Sequence, residues 1–160
     1  GKWQIMSNSI YVLNELLVDI FNDILIIEQN AFQGGTLSDL SVTEVHTIEA
    51  IGMYNKRTMS EVALSLKITV GTLSTAINNL VRKGYVERSR CESDRRIVYI
   101  SLTKKGKLAY RIHRKFHSDM IKETISGLTE EEEKILISSL DKLNKFFKNK
   151  YNLECNKKET

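Results

Sequence analysis

Proline is absent from this chain of 160 residues, which contains only two cysteines. Because proline interrupts helices and fixes rigid turns, its absence favours a mainly helical protein. Two cysteines are too few for a disulfide framework and predict free thiols. No apolar run reaches the roughly 20 residues that cross a bilayer, and no signal peptide is visible. We therefore expect a cytoplasmic protein with no membrane partner.

The motifs of the common enzyme classes are missing as well. The sequence has no glycine-rich phosphate loop, no nucleophile elbow and no convincing catalytic triad. The composition, 41% hydrophobic and 28% charged, is instead that of an ordinary globular domain. These absences predict a non-enzyme, either a nucleic-acid-binding protein or a protein-interaction module. Salt-sensitive binding to duplex DNA separates the two, because an interaction module would not show it.

A pair of short helices is predicted in the middle of the chain. Thr58 followed by Glu61 is a capping box, in which hydroxyl and carboxylate each accept from a backbone amide of the first turn. After a tight joint, Thr69 is placed to cap a second helix. That helix is predicted over about 70–83, with Gly84 as its left-handed terminator. The two form a helix-turn-helix, whose second helix enters the major groove of DNA.

A hairpin is predicted directly after the second helix. Residues 85–90 and 97–102 contain β-branched and aromatic side chains that alternate with polar ones, which indicates two strands. The six residues between the strands are mostly polar and charged. The hairpin forms a wing over about 85–102, so residues 41–102 predict a winged helix-turn-helix. The fold class is therefore mainly α with a small β-wing.

The second helix presents small polar side chains opposite its apolar stripe. Hydroxyl and amide groups on one exposed helical face can contact base edges in a major groove. An ordinary solvated surface contains the same residue types, so the helix alone does not decide between the two interpretations. The candidate DNA contacts in this helix are Thr72, Ser74, Thr75, Asn78 and Arg82.

Positive charge is concentrated around the predicted wing. Residues 82–117 contain twelve Lys or Arg and three acidic residues, a net charge of +9, whereas the whole chain carries +4. The remainder of the chain therefore has a net charge of −5. A solvated surface would not separate charge this sharply. The basic block matches the surface that a DNA-binding protein offers to phosphates.

The wing sequence resembles that of the MarR family of transcriptional regulators. Residues 94–96, DRR, followed by residues 102–106, LTKKG, are similar to the family pattern D-x-R then L-T-x-x-G. In that family the aspartate braces an arginine at the wing tip, and the arginine enters the minor groove. The resemblance gives these roles to Asp94 and Arg96, and Arg95 joins them as a candidate DNA contact in the wing.

One branch of the family, which represses fatty-acid synthesis genes in Gram-positive bacteria, is especially similar. The likeness covers roughly residues 6–150 and is carried by segments 24–30, 40–52, 68–96 and 111–120. It implies a repressor of fatty-acid biosynthesis genes whose affinity for DNA rises when it binds long-chain acyl carrier protein. The alternative is a MarR-type regulator that responds to zinc, a small phenolic or drug-like molecule, or an oxidant.

The recognition helix departs from the common MarR pattern, in which a basic residue is frequent where this chain has Thr75. Arg82 is the only base on its reading face, and guanine is usually contacted by Arg or Lys. Asn78 suits adenine, and threonine methyl groups pack on the thymine methyl. We therefore expect a palindromic, A·T-rich site in double-stranded DNA.

Four further helices are predicted outside the helix-turn-helix. The first is expected over about 9–32, and the second from residue 41 or 42 to Met53. Thr103 is placed to cap a long helix that ends at Gly127. Thr129 opens the last helix, whose first turn is rich in glutamate that complements the helix dipole.

The two ends of the chain are predicted to bind a second copy. In the first helix apolar residues recur at alternating steps of three and four, which is too much apolar surface for a lone helix. In the MarR family the first and last helices of two chains interlock. We assign residues 6–32, with Met6 as the native start, and 103–151 to a homodimer interface. Its expected contacts are Ile10, Leu13, Leu17, Ile20, Leu140, Leu143 and Phe147.

Three histidines are candidates for a metal site. His113 and His117 are four residues apart on one predicted helix, a metal-ligand spacing. A zinc-sensing branch of the family places histidines of the second and fifth helices in one site, and His46 occupies a similar position. Val45 and Ile112 stand where that branch leads us to expect carboxylates. We therefore predict no metal or other cofactor, and structural histidines instead.

Cys91, in the predicted wing, is a candidate redox sensor. The neighbouring charge of Arg90 would lower the pKa of its thiol. Oxidant-sensing relatives use a cysteine in the first helix, and the first helix predicted here has none. We therefore predict that Cys91 is unreactive and that Cys155 belongs to a polar tail.

Overall fold

The computed structural model describes residues 2–53 and 56–152, with side chains from residue 8 onward. The chain divides into two compact units, with the boundary after Val42. The first unit contains the long helix α1 (Lys2–Phe32). The predicted start of this helix near Ser9 was wrong. Serine suits a cap position, but residues 2–8 contain no Gly or Pro to interrupt a helix, so α1 continues through Ser9.

The rest of the described chain joins a winged helix-turn-helix to two long helices. Its three strands form one antiparallel sheet in the order β1-β3-β2, which confirms a mainly helical protein with a small β-wing. The predicted hairpin is β2 and β3, while β1, only two residues long, was not predicted. The elements are α2 (Val42–Ile51), β1 (Arg57–Thr58), α3 (Met59–Leu66), α4 (Val70–Arg82), β2 (Val86–Arg90), β3 (Val98–Leu102), α5 (Lys104–Ser126) and α6 (Glu130–Tyr151).

Helix α2 is shorter than its sequence pattern suggests. It ends at Ile51 rather than at the predicted Met53, because Gly52 adopts a left-handed backbone with φ of +74°. In the described chain no helix is long and apolar enough to cross a membrane.

Threonine side chains begin several of the helices, as predicted. Thr58 accepts a hydrogen bond from the amide of Glu61, whose carboxylate accepts from the amide of Thr58, so the capping box is confirmed. Thr69 and Thr103 cap α4 and α5 in the same way through their hydroxyls. Thr129 begins α6 with a second capping box. Each cap satisfies a helix amide that would otherwise lack a partner.

The core of the second unit fixes α4 against the sheet. Leu73, Ile77 and Leu80 of α4 are completely buried, together with Val62 of α3 and Ile100 of β3. Fully burying one such side chain contributes about 1.5–3 kcal/mol. The apolar stripe of α4 is therefore occupied within one chain, and its opposite face is left for solvent or a ligand.

The LTKKG segment, residues 102–106, packs closely against the turn between α4 and β2. The amide of Thr103 donates to the carbonyl oxygen of Tyr85 at 3.1 Å, and Lys105 Nζ donates to the carbonyl of Lys83 at 2.9 Å. A Cβ atom on Gly106 would lie 2.1 Å from the Tyr85 oxygen. Only glycine fits this close approach. Packing within the chain therefore explains the glycine of this segment without any DNA contact.

Candidate nucleic-acid interface

The first turn of α4 is held by its own hydroxyl groups. Thr69 Oγ1 accepts from the amide of Thr72 at 3.1 Å and lies 2.8 Å from the hydroxyl of Thr72. The Thr72 hydroxyl, a predicted base contact, is therefore already engaged with the cap. It can share this bond with a ligand, since a hydroxyl has one donor and two acceptor positions.

The middle of α4 presents its predicted reading residues outward. Thr75 and Asn78 are exposed, and Ser74 is half-buried. Asn78 Oδ1 accepts a hydrogen bond from Arg88 Nη1 of β2 at 2.8 Å. Sequence reasoning missed Arg88, because this contact joins two elements and no local pattern signals it. The alternation of β2 placed Arg88 on the same strand face as buried Val86, which was the one available clue.

The far end of α4 is anchored to α2 and carries a positive charge outward. Lys83 Nζ pairs with a carboxylate oxygen of Glu44 at 2.7 Å, with 24% and 7% of the two side chains exposed. The exposed Arg82 donates from Nη2 to Asn79 Oδ1 at 3.1 Å. Arg82 thus lies where the sequence suggested, at the end of the predicted reading face.

The wing tip is organised by Asp94 and Arg96, as the resemblance implied. Asp94 Oδ1 accepts from the amide and from Nε of Arg96, both at 3.0 Å, and Asp94 Oδ2 accepts from Nη2 at 3.1 Å. The Arg96 side chain is nevertheless 91% exposed. Hydrogen bonds from the Arg96 guanidinium hold the pKa of Asp94 below its usual value, and the bond from the Arg96 amide adds to this effect. The pair presents a charged, oriented guanidinium to solvent.

Arg95 and Arg90 complete the wing turn. Arg90 Nη1 donates to the carbonyl of Arg95 at 3.3 Å, while the Arg95 side chain is exposed. Arg95 therefore has the exposure that a phosphate contact needs. Arg90 stabilises the turn through its hydrogen bond to the Arg95 carbonyl oxygen.

A cleft of about 410 Å³ lies between α4 and the wing. Ser74, Arg88 and Arg96 contribute polar groups to its wall, and Val70 and Val98 contribute apolar ones. Two guanidinium groups beside a half-buried hydroxyl make this cleft attractive to an anionic ligand. It therefore connects the predicted reading helix and the predicted wing into one basic surface.

Two of the candidate metal-binding histidines, His113 and His117, are hydrogen-bonded to each other within the second unit. His113 is buried, with Nδ1 3.1 Å from Glu49 Oε2 and Nε2 2.9 Å from His117 Nε2. The rings of His46 and His113 are 6.1 Å apart. Glu49 also pairs with Arg114 at 2.9 Å. In the bond between the two imidazoles one ring donates and the other accepts, and the tautomers decide which.

Cys91 has a lowered thiol pKa, but not for the predicted reason. The main cause is a hydrogen bond with the Ser93 hydroxyl, 3.1 Å from the sulfur, followed by backbone amides of Asp94 and Ser93. The charge of Arg90, which the sequence suggested, is not among the causes. Cys155 lies outside the described residues.

The predicted dimerisation residues are exposed in the single chain. Ile10, Leu13, Leu17 and Ile20 of α1 are between 47% and 65% exposed. In the second unit, the described side chains of α6 include none that is buried. Its predicted contacts have exposures of 51%, 39% and 46%, for Leu140, Leu143 and Phe147 respectively.

Comparisons with known proteins identify the family. A MarR family model matches residues 38–97. The crystal structure of Streptococcus pneumoniae FabT in complex with DNA is 43% identical to this chain, with a TM-score of 0.83. The match covers 87% of this chain and 97% of FabT. The chain belongs to the MarR family of DNA-binding transcriptional regulators. This confirms the resemblance found in the wing sequence.

Two further proteins match this chain over a shorter stretch or at lower identity. BilQ, an HTH-type transcriptional regulator of Clostridium symbiosum, is 34% identical over 86 residues, or 53% of this chain and 59% of BilQ. The chain thus spans about three fifths of this curated relative. The S. aureus MepR–DNA complex has a TM-score of 0.67 at 24% identity, covering 84% of this chain and 97% of MepR, and supports the fold alone. BilQ and PchR of Bacillus subtilis, a further curated relative, are HTH-type transcriptional regulators, in agreement with the prediction against an enzyme.

Proposed function

We propose that this MarR-family protein binds duplex DNA in a sequence-specific manner, with α4 in the major groove and the wing tip in the minor groove. The wing tip carries the proposal. Three hydrogen bonds between Asp94 and Arg96 orient a guanidinium that is almost fully exposed. A narrow minor groove has a strongly negative potential that attracts an inserted arginine. A side chain fixed and exposed in this way is suited to that contact.

The reading face of α4 supports contact with base edges. Thr75, Asn78 and half-buried Ser74 lie beside one another, with Arg82 at the end of the helix for phosphate contact. Arg95 and Arg96 extend the positive surface along the wing. Since this face has little positive charge of its own, we expect it to select an A·T-rich sequence.

A homodimer is part of the proposal. Residues 6–32 and 103–151 would form the interface, and residues 41–102 the DNA-binding part of each chain. The exposed apolar side chains of α1 and α6 favour this assignment, because large exposed apolar surfaces mark association sites. A two-fold dimer would place two recognition helices about 34–36 Å apart on a palindromic site.

Selection of duplexes from a random pool, followed by binding in a salt series, tests DNA recognition. We expect an A·T-rich palindrome with half-sites about one helical turn apart, and affinity that falls as salt rises. A G·C-rich consensus would contradict the proposed reading face. Absence of salt-sensitive duplex binding would favour a protein-interaction module instead.

We propose further that the protein represses fatty-acid biosynthesis genes, with long-chain acyl carrier protein as the effector that strengthens DNA binding. The likeness of residues 24–30, 40–52, 68–96 and 111–120 to that branch supports this role. The 43% identity to FabT over most of the chain supports it as well. Regulation by zinc, by a small phenolic or drug-like molecule, or by an oxidant is the alternative.

Mass spectrometry of protein purified under native conditions tests the effector. A retained acyl carrier protein with a long acyl chain is the expected result. Retained zinc or a phenolic molecule would overturn the choice of effector and leave DNA binding intact. A DNA affinity that is unchanged by long-chain acyl carrier protein would also overturn it.

A further inference from the structure

Arg88 and Asn78 form a pair that bridges the wing and the recognition helix. Arg88 lies opposite Ile100 in the β2–β3 register, so both side chains leave the same face of the sheet. Ile100 is completely buried, whereas Arg88 is exposed and reaches past the core to Asn78. The stem of Arg88 thus lies on the core side of the sheet, and its charged head emerges beside the reading face.

The chemistry of arginine fixes the orientation of the Asn78 amide. A guanidinium has only donors, so the Asn78 atom that faces Arg88 Nη1 at 2.8 Å must be the carbonyl oxygen. The amide is planar, and its NH₂ group therefore points away from Arg88. Among the described residues none accepts a hydrogen bond from this NH₂ group.

This orientation changes what Asn78 can read. An unconstrained asparagine recognises adenine through two bonds, accepting from N6 and donating to N7. A carbonyl oxygen has two acceptor positions, and Arg88 occupies one of them. Because Oδ1 already accepts from a cation, a second bond from adenine N6 is weaker, whereas the NH₂ group remains fully available as a donor. Purine N7 is an acceptor in the major groove on adenine and guanine alike.

We propose that Arg88 is a specificity-determining residue that acts through Asn78, holding its NH₂ group outward so that this position reads the N7 of either purine. The proposal rests on the proposed DNA binding and deepens it. It broadens the preference at this one position from adenine to purines, within a site that is A·T-rich elsewhere.

Arg88 also lines the cleft between α4 and the wing, together with Ser74 and Arg96. Arg88 belongs to the wing and bonds to α4, so it joins the two elements that the proposed function places in different grooves. Any duplex seated against this basic surface meets the Arg88–Asn78 pair. Arg88 could attract phosphate or orient the Asn78 amide, and the two roles can be told apart. If Arg88 only attracted phosphate, its removal would not change the base preferred at the Asn78 position.

Binding-site selection with full-length variants tests the pair, and one control is built into the wing. Arg90 is on the same strand, carries the same charge and bonds to the Arg95 carbonyl instead of α4. Arg88→Ala frees the amide, so adenine should gain about three- to tenfold over guanine at the Asn78 position. Arg90→Ala should weaken binding to all duplexes without changing the preference there. Arg88→Lys retains a charge and a donor and should restore most of the wild-type profile.

Asn78→Asp provides the second test. The aspartate keeps the contact with Arg88 but presents an acceptor outward in place of the NH₂ group. Preference should move from purine N7 to bases with a major-groove amino group, adenine and cytosine. Thermal melting confirms that each variant is folded.

Three results would overturn the proposal in distinguishable ways. Identical profiles for Arg88→Ala and Arg90→Ala would reduce Arg88 to a phosphate contact. An unchanged profile for Asn78→Asp would remove Asn78 from the base-reading surface. If the wild-type protein selects no sequence at all, the proposed DNA recognition fails together with this inference.

Discussion

Helices α4 and α6 both carry a stripe of apolar side chains, but the single chain buries only the stripe of α4. Leu73, Ile77 and Leu80 of α4 are inaccessible to solvent. The stripe of α6, which includes Leu140 and Phe147, remains about half exposed. The fold of the winged region is therefore completed by contacts within the chain. The outer helix has apolar surface that the chain does not cover.

The difference has an energetic consequence. Fully burying a large apolar side chain contributes about 1.5–3 kcal/mol, so covering the exposed half of each would contribute on the order of 1 kcal/mol. The exposed stripes of α1 and α6 each contain several such residues. Covered by a second copy, they would supply enough free energy to offset the entropy of association. The comparison thus separates a part whose apolar stripe is covered within the chain, which we propose reads DNA, from a part that we propose pairs two chains.

The sharpest way to break this comparison is to charge the α1 stripe. Leu17 is 47% exposed, and Leu17→Glu would bury a carboxylate in the proposed interface. We expect dimerisation to weaken roughly 100-fold, about 3 kcal/mol, and DNA affinity to fall with it. Asn22→Glu introduces the same charge on the far side of the predicted seam and should have little effect. An unchanged dimer in sedimentation of Leu17→Glu would refute the role of α1.

A second large effect should arise inside the winged region. Gly106→Ala forces a methyl group against the Tyr85 carbonyl, and we expect a loss of about 3 kcal/mol in the free energy of unfolding. Gly71→Ala is the matched control, since its nearest neighbour would be 3.9 Å away. It should leave stability unchanged or raise it by about 0.5 kcal/mol. Urea unfolding at one fixed protein concentration compares them, and equal stabilities would contradict the tight junction.

Substitutions on the proposed reading face should distinguish affinity for the selected site from affinity for random DNA. Asn78→Ala should cost on the order of 1–3 kcal/mol on the selected site and little on random DNA. Arg82→Ala should weaken binding to both and flatten the dependence on salt, because it removes a phosphate contact. Equilibrium binding to the two kinds of duplex measures both effects. An equal loss on specific and random DNA for Asn78→Ala would argue against base reading by α4.

The wing should make a smaller contribution to DNA affinity, and one that depends less on sequence. Arg96→Ala should lower affinity for all duplexes, by about tenfold on sites with a narrow A-tract minor groove and less elsewhere. Asp94→Ala keeps the charge and loses the brace, so its effect should be milder. Affinities measured in moderate salt on A-tract and mixed-sequence duplexes distinguish the two. Wild-type affinity in Arg96→Ala would show that the wing assignment is wrong.

The smallest expected effect concerns the titration of the wing brace. Hydrogen bonds from Arg96 lower the pKa of Asp94 below its ordinary 3.8. A lowered carboxyl pKa means that the brace is fully present above the ordinary value and is lost as pH falls through the folded value. Carbon NMR of the Asp94 carboxyl should therefore titrate below 3.8, and Arg96→Ala should return it towards that value. Arg95→Ala should leave it unchanged, and a wild-type midpoint at or above 3.8 would exclude the brace.

Local chemistry was enough to predict much of the winged region. Capping by Thr58, Thr69, Thr103 and Thr129 depends on side chains within three residues of the cap, and the sequence displays it directly. The end of α4 was also predictable, because Gly84 adopts φ of +85° where other residues would be strained.

What the sequence could not provide depends on contacts between distant residues. The two-residue strand β1 exists because Arg57 and Thr58 pair with β3, which no local pattern reveals. The bond from Arg88 to Asn78 spans ten residues across two elements, and the Glu49–His113 contact spans sixty-four. The residues of α1 show the opposite case. Their apolar repeat was visible, but a repeat alone does not say which surface covers it.

The most direct test of the division between a reading part and a pairing part is the stoichiometry of the protein on its selected duplex. Sedimentation of the complex, with duplexes that carry either the full palindrome or one half-site, measures it. The account predicts two chains on the full palindrome and much weaker binding to the half-site. One chain per duplex, with equal affinity for the palindrome and the half-site, would contradict the account.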